Sequence, residues 1–279
     1  FIWVQTVRHA IMGLSLVEMI HKIKLPIVFE TDFHTQQLYG VVEHHVRQVY
    51  TGLFGWFDED PGKLFPLAPG ERATKMIKAF GGRAAMRVAF DEALAADDYR
   101  WALELGQLLV SDPAAQDTQS DKARLAAGLR QVAFCTPAAN IRNWCLTRAL
   151  ELEGNLDLSR FRIHRFREQE VLAGQGARWV PILRVLLDAD AATDFYGSIG
   201  FTFDDGSSAG LLIRHSVAVP VPQQVCDLQI TLTVALWAKL LAGKMTLSSV
   251  LAEQSNLSQD QRAKMQALLS RFDIESFKA

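Results

Sequence analysis

The sequence predicts an α+β chain, all-helical in its N-terminal part and closed by an antiparallel sheet with packed helices. Three observations carry that expectation. Apolar residues recur at spacings of three and four over most of the stretch from Ile2 to Leu152. After Gly154 the Ala-rich pattern gives way to strict alternation, as in Ile199-x-Phe201-x-Phe203. Finally, 49% hydrophobic against 22% charged residues over 279 positions is enough apolar material for one large domain or two modest ones, which excludes disorder as the main state.

Taken in order, Ile2 to Ile23 reads as two helices interrupted at Gly13, with Leu25-Pro26 as the stop. Leu38, Val41, Val42, Val46, Val49, Tyr50 and Leu53 predict a third helix from Gln36 to Phe54, its polar face carrying Glu43, His44 and Arg47, with His45 as a further candidate. Gly55 to Gly62, followed by Pro66 and Pro69, mixes turn residues with aromatics and predicts a packed loop. Residues 70 to 110 predict three more helices, with Gly81-Gly82 as a turn. Small residues at Ala89, Ala93 and Ala102 let the second pair approach closely, like a single tetratricopeptide-type hairpin. One hairpin cannot bury both of its faces, so Leu105, Leu108 and Leu109 should need cover and a dimer is expected. Residues 119 to 153 continue in helix, broken near Thr136-Pro137.

Beyond the boundary at Gly154, strands are predicted at Ile199–Phe203, Leu211–Ile213, Val217–Val221 and Leu228–Val234. Three helices end the chain: Ala235–Leu241, a second capped by Thr246, and a third with Ser258 at the N-cap and Gln261 at N3.

Composition narrows the function. Lys plus Arg total 29 against 31 Asp plus Glu, a net charge of -2, which argues against a general nucleic-acid binder. The apolar stretches are broken by charge, so no transmembrane segment is predicted. Cys135, Cys145 and Cys226 suggest neither a disulfide framework nor a thiolate zinc site. Residue 1 is Phe, already inside a helical pattern, and the chain is expected to begin in the middle of something larger.

The seven histidines, at 9, 21, 34, 44, 45, 164 and 215, form no HxH, HExxH or HxxxH cluster, so no metal site is encoded. Adjacent His44 and His45 point about 100° apart on a helix and cannot share one ion there. Met12, Met19 and Met76 read as core filler, and the spread of Trp56, Phe57, Trp101, Trp144, Trp179 and Trp237 as core anchors. No GxSxG, P-loop or GxGxxG is present. The terminal sheet and helices are of a kind that can hold an apolar ligand between them.

Certain ordered motifs go further. Gly13-Leu14-Ser15-Leu16-Val17-Glu18-Met19-Ile20 with Leu25-Pro26, then Tyr39-Gly40-x-x-x-His44, Val49-Tyr50 and Gly55-Trp56-Phe57-Asp58-x-x-Pro61 resemble the C-terminal part of the zinc-dependent alkyl sulfatases of the metallo-β-lactamase superfamily. Asp97–Ala102, Asp112-Pro113 and Arg142–Thr147 resemble that family's helical dimerisation domain. Leu228–Leu241, Gly243–Leu247 and Val250–Glu253 are similar to its sterol-carrier-like terminal domain.

The resemblance implies residues 1–54 as the helical end of a catalytic domain, 55–158 as the dimerisation domain and 159–279 as the sterol-carrier-like domain. It implies a hydrolase of alkyl sulfate esters that works through a two-zinc centre, forms a homodimer and gathers an amphiphilic alkyl substrate. The zinc ligands belong to an upstream metallo-β-lactamase domain, so no metal is expected on this chain, which alone should be inactive. His44 carries over as a sulfate contact or proton donor, with Tyr39 and Tyr50 as substrate-binding neighbours. A periplasmic or secreted location is implied too. His45 stands where the family has Asn, Leu53 where Tyr is frequent, and Glu59-Asp60 where Gly-Asn is usual. The stretch Phe33–Leu38 also lacks the family's Arg-Gly approach. These departures cluster on the cleft side of the helix and point to a sulfatase-like protein that is either degenerate or divergent in substrate. The rival expectation is a non-catalytic dimeric scaffold that binds lipids or amphiphiles.

Overall fold

The computed structural model describes residues 1–58, 60–115, 118–158, 166–253 and 257–274. The expectations attached to Glu59 and His164 lie outside them. The chain divides into a helical unit, Phe1–Asp157, and a sheet unit, Leu158–Ala279.

In the helical unit, α1 (Ile2–Ile11) and α2 (Leu16–Lys22) are separated at Gly13, whose φ of +80° is open to glycine at little cost. Ser15 and Glu18 close a capping box at the start of α2. α2 ends before Leu25-Pro26, as expected, and Pro26 then opens a further short helix, α3 (Ile27–Thr31), where a proline's missing N–H costs nothing. The next helix, α4 (Val42–Phe54), begins six residues later than Gln36. Backbone bonding explains the delay. The Leu38 and Tyr39 carbonyls accept from the N–H groups of Ala139 and Asn140 at the start of a later helix, and the Gln37 side chain accepts from Val42 N at 2.8 Å. Leu38 and Tyr39 are thus spent capping another element. Met19, Ile20, Val46 and Tyr50 form the core of this first layer.

Then follow α5 (Pro69–Ala79), α6 (Arg83–Ala95), α7 (Tyr99–Ser111), α8 (Gln119–Cys135) and α9 (Ala139–Leu152). Gly81 and Gly82, both at positive φ, make the turn before α6, and Asp98 caps α7. Ala102 at the hairpin is fully buried. Leu105, Leu108 and Leu109 are buried as well, in a cluster with Ala73 and Ile77 of α5 and Met86 and Phe90 of α6. The chain itself therefore covers the face that the hairpin pattern left open. A second small cluster joins Leu125 and Ala126 to Ala149 and Leu152.

An ionic clamp ties these layers together. Asp121, fully buried on α8, accepts from Arg87 at 2.6 and 2.9 Å and from Arg83. Arg83 also donates to Asp112 at 2.6 Å and to the Leu109 carbonyl at 3.0 Å, and Thr74 donates to Asp112 at 2.6 Å. Four helices thus meet on two carboxylates.

The aromatic and methionine expectations divide. Trp237 and Met19 are fully buried, whereas Trp56 and Met12 are exposed. Spacing marks a side of an element, and it does not say whether anything covers that side.

The sheet unit opens with a short helix, α10 (Glu168–Leu172), and two 3-10 segments at Gly176–Trp179 and Pro181–Leu186. The strands β1 (Gly197–Phe203), β2 (Ser208–Arg214), β3 (Val217–Val221) and β4 (Leu228–Leu232) lie in the order β3-β2-β1-β4. The first three pair antiparallel as expected, but β4 runs parallel to β1, so the sheet is mixed.

The registers explain the crossing. Val221, Gly210, Gly200 and Gln229 form one row across all four strands. The segment Pro222–Asp227 spans about 14 Å of sheet along that row, three strand spacings. A Cβ on Gly200 would stand 2.8 Å from the Gln223 carbonyl oxygen, and one on Gly210 would stand 2.5 Å from Cys226 Sγ. Two paired glycines clear the path, and a crossover much shorter than usual suffices.

On the opposite face Ile199, Phe201, Phe203, Leu211, Ile213, Ile230 and Leu232 are buried. They pack under α11 (Val234–Leu241), α12 (Leu247–Ala252) and α13 (Gln259–Leu269). The Trp237 ring lies 5.1 and 5.8 Å from those of Phe201 and Phe203. Thr246 and Ser258 cap α12 and α13, the latter with Gln261 completing the box.

Candidate functional site

Helix α4 presents its two histidines to different places. His44 lines a cavity of about 650 Å³ bounded by the end of α2, the first turn of α4 and facing parts of α7, α8 and α9. Ile23, Leu25, Val42, Leu103, Val132 and Ile141 make it largely apolar, and Lys24, Glu43 and Arg100 supply charge. The His44 ring centre lies 6.0 Å from that of Trp144, at 30° between planes. His45 lines a second cavity of about 600 Å³ with Tyr39, Gly40, Phe29 and residues of α1.

The three residues expected to act together are therefore separated. Tyr39 is 71% exposed and belongs with His45. Tyr50 is buried in the first-layer core and donates its hydroxyl to the Phe57 carbonyl at 3.3 Å. It lines neither cavity. On a helix Tyr50 lies six residues beyond His44, about 600° or two thirds of a turn away, so it faces elsewhere.

Glu43 and Arg100 form a forked pair, with one arm at 3.2 Å. Burial pushes the Glu43 carboxyl up, but the hydrogen bonds and charge of Arg100 outweigh it and hold the group below its usual value. The same bond raises Arg100. Tyr99, beside it, donates to Asp97 at 2.6 Å, which holds the phenol well above its ordinary range. Burial raises the Cys145 thiol and leaves it a poor nucleophile. The cavity can take an apolar chain along its walls, while the imidazole of His44 can donate to an anionic oxygen.

Trp144 and the Glu43–Arg100 pair were not singled out as site residues, although their segments carry the family motifs. Spacing within each segment does not reveal that residues 57 positions apart meet.

Among the described residues no three His, Cys, Asp or Glu side chains are grouped to hold a metal ion. A two-zinc centre does not fit the described groups. No described helix is long and apolar enough to cross a membrane.

A family model described as alkyl sulfatase dimerisation matches residues 15–155, which takes in the cavity around His44. The chain belongs to the alkyl sulfatase dimerisation family. This member is 33% identical over 232 residues to a linear primary-alkylsulfatase of a Pseudomonas strain, covering 77% of the chain and 42% of that protein. It is 25% identical over 277 residues to the alkyl/aryl-sulfatase BDS1 of Saccharomyces cerevisiae, covering 98% of the chain and 42% of that protein. Its fold matches that of the stereoselective inverting sec-alkylsulfatase Pisa1 from Pseudomonas sp. with a TM-score of 0.77 at 23% identity, over 96% of this chain and 43% of that one. The family member thus spans less than half the length of these relatives.

Proposed function

We propose that this chain is the dimerising and substrate-gathering C-terminal part of a zinc-dependent alkyl sulfatase of the metallo-β-lactamase superfamily, and that it works as a homodimer. The observation that carries the reading is the family match over residues 15–155 in a chain similar to 42% of a primary-alkylsulfatase. In such an enzyme the zinc ions, held by an upstream domain, supply a water or hydroxide for hydrolysis.

This chain's own part follows from its residues. His44, braced against Trp144, contacts a sulfate oxygen or protonates the departing alkoxide. Arg100 is neutralised by Glu43, so it shapes the cavity wall rather than competing for the anion. Tyr39 borders the adjoining cavity and contributes to substrate contact from there. The sheet unit, read as a sterol-carrier-like domain, gathers alkyl tails.

The test is sulfate release from dodecyl sulfate by the protein purified from its source. Wild type should be active in the presence of zinc, and His44→Ala should lower kcat roughly 100-fold or more. Absence of sulfate release, combined with a change in tryptophan fluorescence on titrating dodecyl sulfate below micelle formation, would move the reading to a non-catalytic amphiphile-binding scaffold.

A further inference from the structure

The dimer reading needs a surface, and Leu105 and Leu109 do not provide it, being buried within the helical unit. A different feature does. Phe65 is 91% exposed, the most exposed large apolar side chain among the described residues. Leu64 and Leu67 on either side of it are also exposed.

The segment that displays Phe65 is braced. It follows the 3-10 turn Pro61–Lys63, in which Asp60 accepts from Gly62 N at 3.0 Å. Lys63 reaches Asp58 at 2.8 Å and Asp60 at 3.2 Å, and Pro66 and Pro69 stiffen the chain beyond. A ring held out in this way loses little freedom when it docks.

Two residues past Phe65 an open groove begins. It measures about 800 Å³ and is lined by Leu67 and Pro69, by Leu103 and Leu108 of α7, and by Leu125 and Leu129 of α8. Arg72, Glu104 and Arg148 also border it. Phe65 is not a lining residue of this groove, and its exposure shows that it does not fill it.

We infer that Phe65 of one copy seats in the Leu103–Leu129 groove of a second copy, and reciprocally, forming a two-fold dimer. A two-fold interface needs projection and recess on the same face, because each copy offers the same surface to the other. Their closeness in the chain meets that condition. The groove carries charges of both signs, Arg72 and Glu104, with Arg148 already paired to Glu151, so two copies of the face can neutralise rather than repel each other. Both features fall inside the matched dimerisation region, residues 15–155. An exposed aromatic anchor entering an apolar recess is also the composition of an interface hot spot. This inference rests on the dimer reading above and names its face.

Sedimentation of the full chain at tens of micromolar, roughly the range suited to an interface of ordinary size, tests both. Wild type should be a dimer. Phe65→Asp, which alters an exposed side chain, should raise the dimer dissociation constant about 30-fold or more. Gln107→Trp, which plugs the groove from an exposed position, should do the same, and Val88→Asp, elsewhere on the surface, should leave the dimer intact. A photoreactive phenylalanine analogue at position 65 should cross-link to α7 or α8 of the isotopically distinct partner in a mixed dimer. A wild-type monomer would overturn the dimer reading itself. A Phe65→Asp chain that still dimerises as wild type would overturn only the proposed face. Loss of dimer in Phe65→Asp but not in Gln107→Trp would show that Phe65 docks outside the groove.

Discussion

The two units solve burial in different ways. The sheet unit gathers Phe201, Phe203, Trp237, Leu241, Leu251 and Leu268 into one continuous core. The helical unit spreads its apolar residues over three separate clusters, around Met19, Phe90 and Leu125. A sheet offers a whole face to one layer of helices, whereas successive helix pairs each bury a stripe against the next. Small clusters leave the joints between layers dependent on something else. Between the Phe90 and Leu125 clusters that is the Asp112–Arg83–Asp121–Arg87 clamp, which ties α6 and the end of α7 to α8.

Removing the clamp is the strongest way to break this comparison. Asp121→Ala takes away the buried carboxylate that Arg87 and Arg83 share, leaving Arg83 with Asp112, and should cost about 3–5 kcal/mol. Hydrogen exchange read by mass spectrometry on the intact chain should lose protection in α6 to α8 while β1 keeps its own. Uniform loss across both units, or a cost below about 1 kcal/mol on the scale of exposed pairs, would remove the clamp from the account.

Acid should sharpen the same contrast. Hydrogen bonding from Thr74, joined by Arg83, holds Asp112 below its ordinary 3.8. Burial pushes Asp121 up from 3.8, but Arg87 and Arg83 more than reverse it. A carboxyl lowered in the folded state adds stability that is complete above the unfolded value and is lost as pH falls through the folded one. The helical unit should therefore lose protection first as pH drops from 5 through 3.8 and below. In the sheet unit the lowered carboxyl of Asp205 sits at an exposed turn and contributes little. Exchange rates corrected for their intrinsic pH dependence would decide this, and simultaneous loss in both units would contradict it.

The smallest expected effect probes the crossing in the sheet unit. Gly210→Ala puts a Cβ where Cys226 Sγ and the Val221 carbonyl already stand, an overpacking cost of about 1–3 kcal/mol. Urea unfolding followed by Trp237 fluorescence should show it, with exchange in the helical unit unchanged. A neutral result would mean that Pro222–Asp227 can lift off the sheet at little cost.

Much of this was legible in the residues. Ser258 with Gln261, Thr246 and Gly81-Gly82 act through partners within a few positions, so their roles can be read from spacing alone. The family could be read from its motifs, since these are contiguous or nearly so. Of the candidate site residues, His44 lines a cavity with Trp144 and the Glu43–Arg100 pair, which spacing did not bring forward, while Tyr39 lines another cavity and Tyr50 is core. Those relations join residues far apart in the chain, and no local period encodes them.

By itself, then, the sequence determined the order of helices and strands, their caps and the family. Each depends on short-range sterics, hydrogen bonding and contiguous motif. Only the tertiary structure decided that β4 lies parallel to β1, that the hairpin's leucines are covered from within, and that Phe65 is left in solvent. Periodicity identifies the apolar side of an element. What comes to rest against that side depends on how distant segments pack and on where paired glycines leave room for the chain to cross.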